Sequence, residues 1–396
     1  MQEFEFYSPT RVIFGKDSEK KTADAVKWAN GSRVLIVYGG SSAKKSGLLE
    51  RIQKQLEQAG IAYELLGGVK PNPLLSKAKE GIIKAVEFGA DFILAIGGGS
   101  AIDTAKAVAI GAANKDKDIW DVFWLGKELP SKALPVGVIL TISAAGSETS
   151  NSAVLTNDET KRKSGINTDV NRPKFAIMDP QLTYTLPKDQ RSNGVADIMM
   201  HTLDRYFTVS LGNDFTDAVA EALLRTVIKH GPVVIETPDK YDSASEIMWC
   251  GSVSHNHMTG LGGISDFSVH QLSMPLSGVY DAAHGAALTT VWGDWAKYVM
   301  NVNPSRFARL GREVFNDTKE YGSIEEAAAA AIEKMINFFK SIGMPTDFTS
   351  LGIGIVSDDV LSDLADRCSY NRGRVVGNFR PIDRDDMYEI YRMANR

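Results

Sequence analysis

The chain has 396 residues, enough for two domains, with 43% hydrophobic and 23% charged residues, the balance of an ordinary globular protein. Its 44 Lys and Arg against 49 Asp and Glu leave a formal charge of -5, which gives no electrostatic reason to expect nucleic acid or an anionic membrane as a partner. Two cysteines, Cys250 and Cys368, are too few for a disulfide framework or a thiolate zinc site, and the N-terminus has no apolar signal core, so a cytoplasmic location is expected.

Phe4-Glu5-Phe6 and Arg11-Val12-Ile13-Phe14, on either side of Ser8-Pro9-Thr10, read as a hairpin. Arg33-Val34-Leu35-Ile36-Val37-Tyr38 is a continuous apolar strand. Gly39-Gly40-Ser41-Ser42 comes next, then an amphipathic stretch with Leu48, Leu49, Ile52 and Leu56 on one face. Phe92-Ile93-Leu94-Ala95-Ile96 repeats the pattern, running through Gly97-Gly98-Gly99-Ser100 into a second helix. Residues 135–140 and Phe175-Ala176-Ile177-Met178 read as further buried strands. Apolar strands separated by helices predict a parallel sheet covered on both faces. After Leu186-Pro187 the β-type runs nearly vanish and long helical patterns take over. Residues 325–342, with Ile332, Met335, Ile336 and Phe339 at helical spacing, are typical of this C-terminal half.

A strand that ends in glycines and opens a helix is an anion cradle: glycine lets a phosphate reach the backbone, and the helix start offers free N–H groups. Two such loops, Gly39-Gly40-Ser41-Ser42 and Gly97-Gly98-Gly99-Ser100, lie in one α/β segment, which points to a dinucleotide. An acid after the first strand would hydrogen-bond a ribose diol and repel a 2′-phosphate. Small and hydroxyl residues stand there instead, with Lys44 and Lys45 close behind, which favours NADP(H) over NAD(H).

Six histidines occur: His201, His230, His255, His257, His270 and His284. Asp197 and His201, four residues apart in a helical context, leave one face of a helix together. With His270 and His284 they form a carboxylate and three imidazoles, a donor set for Fe²⁺, Zn²⁺, Co²⁺ or Mn²⁺. His255 and His257 are rival ligands, although a His-x-His pair on a helix diverges.

These segments, taken together, resemble the iron-containing (metal-dependent) alcohol dehydrogenase family, in its butanol dehydrogenase-like and broad aldehyde reductase branch. The matching runs are Tyr38 to Ser41, Lys70-Pro71-Asn72-Pro73, Gly97 through Asp103, Gly146-Ser147-Glu148, Ala176 to Pro180, Gly194 to Asp197 with His201, and His270 with His284-Gly285. The resemblance implies an α/β, Rossmann-like dinucleotide-binding domain over residues 1–180 and an all-helical metal-binding domain over 181–396. It implies metal ligation by Asp197, His201, His270 and His284, the metal being Fe²⁺ or Zn²⁺. It implies cofactor contacts by Gly39, Gly40, Ser41, Ser42, Asn72, Gly98, Gly99, Ser100, Asp103, Thr141 and Lys163, and a homodimer joined through the N-terminal hairpin. The implied reaction is hydride transfer between nicotinamide and a small alcohol or aldehyde.

Three positions depart from the family pattern. Met274 replaces a histidine that relatives carry near the nicotinamide, Ala145 replaces a threonine, and Asp204 replaces a glutamate. Without that histidine, a metal-bound water, the ribose hydroxyls or another residue, His257 or Asp281, is left to carry the proton. A polyol dehydrogenase, a dehydroquinate synthase-like lyase, or a degenerate nucleotide-binding scaffold are the alternatives on the same fold. The lyase would need a dense set of basic residues, whereas residues 258–275 are glycine-rich and apolar.

Overall fold

The computed structural model describes residues 1–210 and 212–396 and divides into two compact units. One is Tyr7–Leu186; the other is Pro187–Arg396 joined by Met1–Phe6.

The first unit holds strands β1 (Arg11–Phe14), β2 (Arg33–Tyr38), β3 (Ala62–Leu66), β4 (Phe92–Gly97), β5 (Val136–Leu140), β6 (Ser152–Thr156), β7 (Lys163–Asn167) and β8 (Phe175–Met178). Its helices are α1 (Thr22–Trp28), α2 (Ser42–Lys45), α3 (Leu48–Gln58), α4 (Leu75–Phe88) and α5 (Gly99–Ala113). Six strands form one all-parallel sheet in the order β1-β8-β5-β4-β2-β3, and β6 and β7 form an antiparallel pair of their own. Both faces of the sheet are covered, as its nearly unbroken apolar strands require. On one face Val34, Ile36, Leu94, Ile96 and Ile177 pack with Leu48, Leu49, Ile52 and Leu56 of α3. Each such buried side chain contributes roughly 1.5–3 kcal/mol before its ordering entropy is counted. α5, rich in alanine and buried almost all round, packs against β4 on the sheet.

The predicted N-terminal hairpin does not form. Arg11–Phe14 pairs in parallel register with Phe175–Met178, and Phe4–Phe6 is in no strand. The apolar run of β8 already borders β5 on one side, and β1 completes its other side with four parallel pairs.

The second unit is helical: α6 (Lys188–Tyr206), α7 (Asp214–Glu236), α8 (Tyr241–His255), α9 (Ser268–Tyr280), α10 (His284–Val299), α11 (Pro304–Phe315), α12 (Ile324–Ser341), α13 (Phe348–Leu351), α14 (Asp358–Ser369) and α15 (Arg384–Ala394). α6 is central, packing against α7, α8, α9 and α10. Its C-terminal end is clamped by Arg306 of α11, which donates to the Tyr206 carbonyl through Nε at 2.8 Å and pairs with Asp217 of α7 at 2.5 Å. No helix among the described residues is long and apolar enough to cross a membrane.

Candidate functional site

In the first unit the chain runs from β2 to β3 on one side and returns to β4 on the other, so the switch in strand order falls between β2 and β4. Ligands of open α/β sheets bind beyond the carboxyl ends of the strands at such a switch. Both glycine loops lie there: Gly39 comes directly after β2, Gly98 directly after β4, and the strands are paired up to Tyr38 opposite Ile96. Thr141, just past β5, donates its N–H to the Gly97 carbonyl at 3.1 Å and so borders the same loop. Gly98 precedes the fifteen-residue α5 and is tightly enclosed, because a Cβ there would lie 1.9 Å from Ile142 Cγ2. Gly39 accepts from the Gly68 N–H at 2.9 Å, which draws the segment leading to Asn72 across the end of β2.

Asn72 and Lys163, distant in sequence, meet: the Lys163 ammonium donates to Asn72 Oδ1 at 3.0 Å, and both are buried. Lys163 stands on β7, a strand that its basic neighbours Lys161 and Arg162 conceal in the sequence. Asp103 has both oxygens engaged, Oδ1 by the Ser147 hydroxyl at 2.6 Å and Oδ2 by the Val154 N–H at 2.9 Å. This commits its carboxylate to the segment between β5 and β6. The fully buried Lys106, one turn further along α5, holds the same segment by donating to the carbonyls of Ser147, Ser150 and Ser152 at 2.7, 3.1 and 2.7 Å. Burial pulls this ammonium down to about 8, against the opposing pull of Asp103 and Glu148.

In the second unit Asp197 and His201 do leave one face of α6. Nδ1 of His201 stands 3.4 Å from Asp197 Oδ1, Nε2 of His270 3.9 Å, and Nε2 of His284 3.8 Å from the same oxygen. α9 supplies His270 and the first residue of α10 supplies His284. Ligand atoms of Asp197, His201 and His270 all lie within 4.8 Å of one another. These three are buried, whereas the His284 side chain is 31% exposed and forms the open side of the site.

A divalent metal fits this donor set. The His201 Nδ1 and His270 Nε2 atoms are buried with no hydrogen-bond partner among the described residues, a costly arrangement for polar nitrogens unless a cation takes their lone pairs. Burial, followed by the neighbouring His255 and His270, holds the His201 imidazole neutral by lowering its pKa well below the usual value. A neutral ring is the form that ligates.

Of the rival histidines, His255 ends α8 with its ring edge-on to His201, 4.0 Å between centroids, so it backs a ligand. His257 has a left-handed backbone at φ 78 and is partly buried; Asp281, also left-handed at φ 53, is exposed. Met274 lies one turn after His270 on α9 and is partly buried. Three neighbours of the centre have no role legible in the sequence. Asp204 Oδ2 lies 2.5 Å from His270 Nδ1. Arg205 donates to the His201 and Ser254 carbonyls at 2.8 and 3.0 Å. Phe267, in left-handed backbone at φ 58, lies under the Arg205 guanidinium at 4.7 Å and beside the His270 ring at 5.2 Å. For Asp204 the available signal is its seven-residue step from Asp197, which returns to the same helix face.

Comparison with known proteins agrees with both halves of this arrangement. The iron-containing alcohol dehydrogenase domain matches residues 9–180, and the C-terminal domain of the Fe-containing alcohol dehydrogenase family matches residues 192–395. The chain is 39% identical to NADH-dependent butanol dehydrogenase A of Clostridium acetobutylicum, covering 100% of both chains. It is 32% identical to the NADPH-dependent aldehyde reductase YqhD of Escherichia coli, over 89% of this chain and 90% of that one. The crystal structure of NADH-dependent butanol dehydrogenase A from Thermotoga maritima superposes with a TM-score of 0.94 at 34% identity, covering 100% of this chain and 99% of that one. The chain belongs to the iron-containing alcohol dehydrogenase family.

Proposed function

We propose that this protein is a metal-dependent, NAD(P)-linked alcohol dehydrogenase or aldehyde reductase, acting on a small alcohol or aldehyde such as butanol or butyraldehyde. The observation that carries the reading is the convergence of Asp197, His201, His270 and His284 around one point, with two buried ring nitrogens that have no hydrogen-bond partner among the described residues. The names of the relatives support it, since those at 32–39% identity are butanol dehydrogenases and an aldehyde reductase.

Family membership brings a divalent metal and a nicotinamide cofactor. Bound by the four ligands, Fe²⁺ or Zn²⁺ supplies a Lewis acid for the substrate oxygen, and the nicotinamide supplies the hydride. The chain's residues do the positioning. Residues 1–180 form the cofactor domain in this reading and residues 181–396 the metal domain. Gly98, Gly99 and Ser100 open α5 toward the pyrophosphate, with Gly39 to Ser42 and Thr141 beside it. Asn72 and Lys163 act as one bonded pair on the cofactor. Asp103 serves by fixing the segment between β5 and β6. Met274 cannot carry a proton, so His257 or Asp281 would exchange it with solvent.

NADPH is the preferred cofactor in this reading. No acid ends β2, and a side chain at Gly40 would meet nothing within 4 Å, so a 2′-phosphate has room beside Ser41, Ser42 and Lys44. Four relatives at 34–39% identity are named NADH-dependent and one at 32% NADPH-dependent, so the ratio of kcat/KM for the two cofactors decides. A ratio favouring NADPH, reversed toward NADH in Gly40→Asp, supports the assignment; a wild-type preference for NADH refutes it. The protein also acts as a homodimer. Phe4, Phe6, Tyr7, Phe14 and Trp28 are exposed apolar surface of the single chain, and light scattering should give twice the chain mass. Its two cysteines are free and buried, which suits a reducing cytoplasm.

The reaction itself is tested by loading the purified protein with Fe²⁺ or Zn²⁺ and following reduced-cofactor absorbance with butyraldehyde. Absence of turnover with every small aldehyde, both metals and both cofactors would refute the proposal.

A further inference from the structure

We infer that Asp204 is a positioning residue of the metal centre: it holds the His270 ring through Nδ1 and so presents Nε2, with its lone pair, to the metal. The inference rests on the proposed metal site.

Asp197, His201 and Asp204 share one face of α6, and Asp204 is 0% exposed. Its Oδ2 lies 2.5 Å from His270 Nδ1. An ionised carboxylate only accepts, so Nδ1 carries the hydrogen and Nε2 keeps its lone pair toward Asp197. A carboxylate behind a ligating imidazole sets the tautomer, orients the ring and makes the ligand more basic. The same residue also sets where α9 begins. The Asp204 carbonyl accepts from the Asp266 N–H at 2.7 Å, and the Asp266 carboxylate accepts from the Ser268 N–H at 3.0 Å, two residues before His270. The ring is thus held at its nitrogen and at the start of its helix.

The surroundings of the carboxylate point the same way. Three carboxylates, Asp197, Asp204 and Asp266, are buried around the site, and Arg205 is the cation buried with them. Asp204 Oδ1 has no hydrogen-bond partner among the described residues. A purely structural buried acid would be expected to have its second oxygen bonded as well.

The test uses the full-length protein stripped with chelator and titrated with Co²⁺, whose visible absorption reports ligand geometry. In Asp204→Asn the Co²⁺ dissociation constant should rise about 10- to 100-fold, with an altered visible spectrum. Asp204→Glu, which keeps the charge, should recover at least part of the affinity. Metal-free Asp204→Asn should melt close to metal-free wild type, because Asn keeps the size of the side chain and an oxygen that accepts from His270 Nδ1. Wild-type affinity and spectrum in Asp204→Asn overturn the inference. So does a lowered metal-free melting temperature with no recovery in Asp204→Glu, which marks a structural role only. Failure of the wild type itself to take up Co²⁺ overturns the metal reading and the inference with it.

Discussion

Replacing Gly285 by alanine adds one methyl group where the start of α10 meets α6. The new Cβ would lie 2.4 Å from the Asn193 carbonyl oxygen, 2.9 Å from its Cα and 3.0 Å from its carbonyl carbon. These are backbone atoms and cannot rotate aside, so reaching ordinary contact near 3.4 Å requires the two helices to part by roughly 1 Å. Asn193 precedes Asp197 by one turn of α6, and Gly285 is the residue directly after His284. The movement therefore stretches the His284–Asp197 separation, now 3.8 Å, and strains the 2.8 Å bond from the Ala286 N–H to Asn193 Oδ1. Metal coordination tolerates only about 0.2 Å of error. Overpacking of this kind costs roughly 1–3 kcal/mol, or about 2–12 °C in melting temperature for a unit of this size. Gly285→Ala should melt lower without metal, and should lose metal on dialysis that leaves the wild type loaded, as read by elemental analysis. Full metal retention and an unchanged melting temperature would show that the two backbones are not in this contact.

Two further outcomes concern the first unit. Gly98→Ala places its Cβ 1.9 Å from Ile142 Cγ2, and a clash costing roughly 1–3 kcal/mol should weaken cofactor binding about 10- to 100-fold while metal content stays unchanged. Titration of NADPH fluorescence checks this, and an unchanged dissociation constant refutes the cradle. Lys106, pulled to about 8 by burial, has a folded pKa below its unfolded one, so from pH 8 to about 10.4 the unfolded chain holds a proton that the folded chain does not. Stability of the wild type relative to Lys106→Met should therefore be level below pH 8 and rise above it, by on the order of 3 kcal/mol. Melting of both proteins at pH 7 and pH 10 reads the difference; a level difference across that range contradicts the depressed pKa.

Those features that depend on short-range pattern were legible in the sequence. The unbroken apolar run of β2, the four apolar residues of α3 and the glycines after β2 and β4 each declare themselves within a dozen residues, and the structure places them accordingly. Asp197 and His201 were readable as a helical pair for the same reason. Long-range partners decided what was misread. Phe4–Phe6 has the alternation of a strand, but β1 gains parallel pairing with β8 instead, some 160 residues away. β6 is five residues long with the run Ala153-Val154-Leu155, and β7 is polar apart from Ile166 with Gly165 inside it, so neither shows a clear alternation. Lys106 and Asp204 look like solvent-facing charges on helices. Their burial depends on Ser147, 41 residues away, and on His270, 66 residues away, which no local window reveals.

The most direct test of the metal centre is a crystal of the protein grown with Fe²⁺ or Zn²⁺, with diffraction recorded at that metal's absorption edge. The four-residue ligand set predicts one anomalous peak at about 2.0–2.2 Å from a carboxylate oxygen of Asp197 and from a ring nitrogen each of His201, His270 and His284. A peak bound instead through His255 or His257, or no peak at this cluster in active protein, would contradict it.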